Sequence, residues 1–406
     1  MDSKKGSFMK ESAEDFSINK RRAAKFVITI GIISLFADMT YEGARSIVGP
    51  YLSLLGASAT VVGVAAGFGE LIGYALRFVS GRLVDRTRRY WAVAIFGYLL
   101  NVLSVPLLAL AGYWPLAVAF MFMERAGKAI RTPTRDAMLS FAGTSIGRGW
   151  GFALHEAMDQ TGATIGPLLM AGVIFYKNDY QLGFAVLLVP ALLCLGTVGL
   201  ARYLFPHPRD LEIKTPELDT HGFAKPFWLY LAGTACIAAG FADYPLIAYH
   251  FEKVSLVRRE WIPLFYAIAM GVDGLAALVF GRIYDRKGMP IIIIAVLISI
   301  PFAPLVFLGG FKSALFGAVL WGIGMGAQES IFKAVVASMS PVERRGTAFG
   351  IFNMSFGIFW FVGSALMGFL YDVSIPALVI FSILVQLLAV PFLIVVAKRH
   401  DALADK

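Results

Sequence analysis

The chain has 406 residues, of which 58% are hydrophobic and only 16% charged, with a mean hydropathy of +0.71 and a formal net charge of +9. A soluble domain carries about a quarter charged residues, so this composition excludes one. The basic surplus sits in short loops rather than on one folded face, so nucleic acid is not an expected partner. Only two cysteines are present, Cys194 and Cys236, each inside an apolar run, and they suggest no disulfide framework.

Residues 1–25 form a basic tail with Lys4, Lys5, Lys10, Lys20, Arg21, Arg22 and Lys25. With no short apolar stretch and no small-residue cleavage site, it reads as a cytoplasmic tail rather than a signal peptide. Twelve apolar stretches follow, each near the ~20 residues that a helix needs to cross hydrocarbon: 26–50, 58–81, 90–112, 114–141, 149–176, 180–204, 226–251, 261–281, 289–309, 313–339, 346–370 and 374–397. They are continuous and rich in Leu, Ala and Gly, unlike the alternating strands of a membrane barrel. The expected fold class is therefore an all-α membrane protein with twelve transmembrane helices in two pseudo-symmetric six-helix bundles. The polar interval 206–225 is the expected cytoplasmic linker between a bundle at 26–205 and another at 226–398, with a short tail at 399–406.

An even number of spans places both termini on one side. Lys and Arg crowd that side, whereas the opposite loops hold Lys177, Lys253, Arg258, Arg259 and Lys312. The positive side is the cytoplasm, and the expected location is the cell (inner) membrane.

Ionisable groups at span depth cost about 2.5–3.5 kcal/mol each on insertion scales and normally face partners or water. In span one, Asp38, Tyr41, Glu42 and Arg45 fall at i, i+3, i+4 and i+7 on one helical face. Span four carries Glu124, Lys128, Arg131 and Arg135 at i, i+4, i+7 and i+11, with Arg125 and Asp136 beside them; Pro133 is expected to loosen the helix and free a carbonyl for substrate or water. Span five adds His155, Glu156, Asp159 and Gln160. The second half offers Asp243, Tyr244, His250, Asp273, Gln328, Glu329 and Lys333, so both halves are expected to feed one wet interior. Glu124 with Lys128 and Glu329 with Lys333 also have the i,i+4 spacing of pairs that neutralise each other and hold helices together.

The halves echo each other. Gly81, Arg82, Asp85 and Arg86 return as Gly281, Arg282, Asp285 and Arg286, 200 residues later; Phe36, Ala37, Asp38 return as Phe241, Ala242, Asp243; Arg148, Gly149, Phe152 return as Arg345, Gly346, Phe349. That register sets Asp136 opposite Lys333 and Thr132 opposite Glu329, as a pseudo-symmetric cavity for an asymmetric solute requires. Zinc-protease, nucleophile-elbow and phosphate-loop signatures are missing from suitable contexts, so no enzyme, cofactor or metal centre is expected. His155, Glu156 and Asp159 read as a proton relay or a helix pairing rather than a metal site.

Together the spans, the duplicated loop and the linker resemble the major facilitator superfamily from Lys25 to Lys398. Its cytoplasmic loop pattern Gly-x-x-x-Asp-Arg-x-x-Arg is matched by Gly81, Asp85, Arg86 and Arg89, with a weaker copy at Gly281, Asp285 and Arg286. The resemblance implies a conformational latch there, with Asp85 at the N-terminus of span eleven near Gly346. Gly162, Gly166 and Pro167 look like the Gly-x-x-x-Gly-Pro stretch of exporters that exchange solute for protons, although the paired glycines that usually follow are missing; small residues there also permit close helix contact. The implied function is a monomeric, proton-coupled exporter of a small-molecule substrate, with Asp38 or Glu42 beside Arg45 as the coupling site. Proton-coupled uptake of an organic anion, drawn in by Arg131 and Arg135, and a non-transporting receptor or scaffold are the alternatives.

Overall fold

The computed structural model describes the backbone of residues 2–146, 148–207, 225–339 and 345–404; the side chains of 1–20, 85, 143–153, 285, 333, 337–338, 340–347 and 399–406 fall outside that description, as does residue 147. The central part of the linker, the C-terminal tail, the Arg148/Arg345 echo and the side chains of Asp85, Asp285 and Lys333 therefore lie outside the described residues.

Every described element is helical. The first six spans are α1 (Asp2–Leu54), α2 (Ala59–Thr87), α3 (Tyr90–Leu107) with a 3-10 turn at Leu108–Leu110, α4 (Trp114–Ile146), α5 (Arg148–Lys177), and α6 (Tyr180–Val186) running into α7 (Leu188–Leu204). The second six are α8 (Lys225–Gly240) with α9 (Tyr244–Lys253), α10 (Trp261–Lys287), α11 (Pro290–Ser299) with α12 (Phe302–Phe307), α13 (Phe311–Ser338), α14 (Arg345–Val373) and α15 (Ile375–Ala404). Ten of the twelve are apolar enough over their length to cross a membrane. The other two, α4 and α5, hold many of the interior charges, and those polar residues lower their hydropathy. These are the twelve spans in two six-helix bundles that the sequence led us to expect.

Span seven is broken. Pro245 has no N–H to donate and suits only the first turn of a helix, so α8 stops at Gly240 and α9 restarts at Tyr244. The freed carbonyls are satisfied inside the protein: Ser382 Oγ (2.7 Å) and Gln386 Nε2 (3.0 Å) donate to Gly240 O, and Trp321 Nε1 donates to Ala242 O (2.8 Å). Non-helical backbone at membrane depth persists only where such partners exist.

Small residues set the helix contacts, since lipid gives little hydrophobic reason for helices to associate. Gly162 and Gly166 of α5 lie directly on the Leu35 and Met39 carbonyls of α1. Between bundles, Gly63 and Gly67 of α2 meet Ser364, Gly368 and Phe361 of α14, and Gly49 of α1 meets the Pro245 and Tyr249 backbone of α9.

At the end remote from the linker the bundles are tied together. Ser58 caps α2 through Val61 N (3.2 Å), and the two remaining first-turn amides donate across the bundle boundary to Asp372 of α14: Ala59 N at 3.1 Å and Thr60 N at 2.8 Å, joined by Thr60 Oγ1 at 2.6 Å. A carboxylate is favoured at a helix N-terminus by the dipole and by the orphan donors. Nearby, Glu252 accepts from Tyr180 (2.9 Å) and from Arg259 (2.9 Å), and Tyr249 donates to Ala57 O (3.1 Å). Asp372→Asn is expected to weaken this closure by about 1–2 kcal/mol, a five- to thirtyfold shift toward separation of the remote ends. Maleimide labelling of a cysteine placed at Thr60 or Tyr371 should speed up accordingly; an unchanged rate would remove Asp372 from the closure.

Candidate functional site

The polar face of α1 points inward: Asp38 and Glu42 are buried, and Arg45 lies beneath the bundle boundary. Arg45 Nη2 meets Asp243 Oδ1 of the second bundle at 2.6 Å. Asp243 stands at the α9 N-cap position yet makes no cap bond; its carboxylate goes instead to Arg45 and to Trp360 Nε1 (3.4 Å). Arg45 also approaches Glu70 of α2 at 3.5 Å and Glu42 at 4.0 Å, while Tyr266 of α10 donates a short hydrogen bond to Glu42.

From Arg45 the charges continue as a chain. Glu70 meets Arg125 (3.2 Å), Arg125 meets Glu124 (3.4 Å), Glu124 accepts from Asn101 (2.8 Å), Asn101 accepts from Arg131 (3.1 Å), and Arg131 reaches Asp38 (3.4 Å). Arg131 is fully buried and also lies 4.8 Å from the centre of the Tyr98 ring. A cavity of about 30 Å³ opens beside this chain, lined by Tyr41, Arg45, Met121, Glu124, Arg125 and Pro245.

Toward the linker end lies a second cluster. Arg135 Nε donates to Asp136 (3.0 Å), and Arg135 Nη1 reaches Ser34 Oγ (3.4 Å) and Asp159 (3.9 Å). Ser34 Oγ shares a 2.7 Å hydrogen bond with His155 Nε2, and His155 stands 3.9 Å from Asp159. The ligand atoms of His155, Glu156 and Asp159 come within 4.8 Å of one another. A cation placed there would face Arg135, and the His155 nitrogen nearest Asp159 is already engaged by Ser34.

Several sequence expectations are corrected. Glu124 turns to Arg125 and Asn101, and the Glu124–Lys128 pair does not form; Lys128 Nζ rests 3.8 Å from the centre of the Tyr41 ring. The carbonyl freed by Pro133, that of Ala129, is taken by Ser80 Oγ at 3.0 Å rather than left for a solute, and α4 runs on through Pro133. His250 hydrogen-bonds Tyr371 (2.9 Å) with Phe251 and Phe307 around it, apart from the central charges. The Asp136 side chain is 45% exposed, and Gln328 bonds its own helix at Gly324 O (3.2 Å). To the described part of this interior the second bundle contributes Asp243, Tyr266 and an aromatic wall that includes Trp321, Trp360 and Phe356, and Asp273 is buried on α10. Glu329 is half-buried on α13.

Sequence reasoning missed Glu70, which joins the two arginines at the centre of the chain. Its signal was available, since it is a lone carboxylate within span two, but the apolar run around it dominated the reading. Tyr266, Trp360 and Asn101 carried no signal of their own.

In the loop motifs, Gly81 lies near Pro133, with room for a Cβ 3.8 Å from the ring, and Arg82 stacks on Phe78 at 4.2 Å. Arg88 closes α2 in the left-handed conformation (φ 54°), Gly288 closes α10 at φ 65°, and nothing crowds Gly281. Arg86, Arg89 and Arg286 are exposed.

Comparison with known proteins agrees with this architecture. The family model described as Major Facilitator Superfamily matches residues 30–327 and 261–406. An uncharacterized protein of Mycobacterium tuberculosis is 40% identical over 374 residues, covering 90% of this chain and 91% of the relative. An MFS-type efflux pump of Mycolicibacterium smegmatis is 26% identical over 366 residues, covering 84% of each. Among solved structures, a bacterial homologue of the human lysosomal transporter Spinster superposes with a TM-score of 0.70 at 15% identity, covering 92% of this chain and 97% of that one. A multi-pass membrane protein with this fold and these relatives, the chain belongs to the major facilitator superfamily of transporters.

Proposed function

We propose that the protein is a secondary active transporter of the inner membrane, with cytoplasmic termini, that exports a small solute in exchange for protons by alternating access. The observation that carries this reading is the Arg45–Asp243 bridge. It joins the bundles at 2.6 Å, while Glu70 (3.5 Å) and Glu42 (4.0 Å) stand ready on Arg45's own side. A proton taken up by Asp243 removes its charge, Arg45 passes to Glu70 and Glu42, and the link across the boundary loosens without stranding a buried cation. Asp38, held by Arg131, and Glu42, held by Tyr266, extend the path along which protons are exchanged. The cytoplasmic loops with Gly81, Asp85, Arg86 and Arg89, and with Gly281, Asp285 and Arg286, serve as the lock for the opposite state. Export is supported by the efflux-pump relative and by the Gly162, Gly166, Pro167 stretch.

Proteoliposomes holding an entrapped pH indicator test the reading against a panel of organic anions, organic cations and sugars. At least one class is expected to drive proton movement opposite to its own. Asp38→Asn and Glu42→Gln should each lower that proton flux at least tenfold while solute counterflow persists. Full flux in both variants, or no proton movement with any solute, would dismiss the coupling.

A further inference from the structure

We infer that the transported solute is an organic anion whose carboxylate or phosphate group is received by Lys128 and Arg77, an inference that rests on the transporter reading and specifies its cargo. Hydrogen-bond and charge accounting distinguishes these two cations from their neighbours. Arg45, Arg125, Arg131 and Arg135 each have a carboxylate oxygen within 2.6–3.4 Å. A cation already neutralised at that range offers little to an incoming solute, so Arg131 and Arg135, the anion-attracting candidates of the sequence, are engaged elsewhere.

Lys128 and Arg77 differ. Among the described residues neither has a carboxylate in ion-pair contact, and each lies over a tyrosine face instead: Lys128 Nζ 3.8 Å from the centre of Tyr41, the Arg77 guanidinium 5.3 Å from the centre of Tyr74. Arg77 Nε is buried without an acceptor. Both residues are half-buried, in adjacent helices, at a depth fixed by Ser80 Oγ donating to Ala129 O. Tyrosine faces stabilise a cation by about 0.5–2 kcal/mol, less than a charge-assisted hydrogen bond to an anion inside a protein. Within a membrane, a cation with no carboxylate in ion-pair contact keeps donors to offer an incoming acceptor. An anion offers acceptors to Lys128 and Arg77; an organic cation offers none.

The purified full-length protein, titrated with benzoate, succinate and inorganic phosphate and followed by tryptophan fluorescence and thermal transition, tests the inference. At least one anion should bind saturably. Lys128→Gln and Arg77→Gln should each weaken it about tenfold and the double variant about a hundredfold, whereas Lys128→Arg and the loop control Lys312→Gln should retain it. Transition temperatures without ligand establish that the variants fold. Benzoate and succinate separate carboxylate from phosphate recognition. The inference falls if no anion gives a saturable response, if both glutamine variants bind as well as the parent, or if tetraphenylphosphonium binds saturably and the anions do not. Proton flux driven by a sugar or an organic cation, with no anion response, would leave the transporter reading standing and remove only the anionic cargo.

Discussion

Replacing Arg45 with methionine is expected to abolish transport and to cost about 3–5 kcal/mol of stability, because Asp243, Glu70 and Glu42 are left facing one another without their shared cation. The matched variant Asp243→Asn separates the two effects. It keeps Arg45 beside Glu70 and Glu42, so the protein should fold with a transition temperature near that of the parent while proton-coupled flux falls at least a hundredfold. If the bridge were only a structural tie, Asp243→Asn would lose stability and keep coupling. Exchange at equal pH on both sides, measured together with gradient-driven flux, distinguishes these outcomes, since a defect in coupling spares the former.

Gly162→Leu is expected to be the most damaging change in the helix framework. A Cβ at Gly162 already runs into the Leu35 carbonyl of α1, and Gly166 is held as closely by Met39. A leucine forces α5 away from α1, at or beyond the upper end of the 1–3 kcal/mol usual for overpacking. The displacement also separates His155 from Ser34 and Asp159 from Arg135, which join α5 to α1 and α4. Monodisperse yield on size exclusion should collapse for Gly162→Leu and survive for Gly172→Leu, where nothing lies within reach of an added Cβ. Equal yields would show that α1 and α5 tolerate separation.

Hydropathy made the twelve spans legible because each must hide its backbone from lipid, a requirement that acts locally along the chain. The inward face of α1 was legible for the same reason: Asp38, Glu42 and Arg45 recur at helical spacing where lipid would penalise them. Partner choice was not legible. Arg45 and Asp243 are 198 residues apart, and only the docking of the two bundles brings them together. The i,i+4 rule favoured Lys128 as the partner of Glu124, yet a guanidinium on the adjacent residue and an amide from α3 took that carboxylate first. The repeat register set Asp38 against Asp243, but their surroundings differ: Asp38 sits within an unbroken helix against Arg131, whereas Asp243 stands at a helix break. Asp372, near the end of an apolar span, gave no sign that it caps a helix of the opposite bundle.

The break at Phe241–Asp243 divides the loyalties of one span. Below it, α8 is fastened to α15 through Gly240 and through the packing of Gly233 on Leu393. Above it, α9 is fastened to the first bundle through Gly49, Ala57 and Tyr180. The ten residues of α9 thus follow the first bundle although they belong to a span of the second, with only three residues joining them to α8, and the Asp243 carboxylate that meets Arg45 stands at that junction.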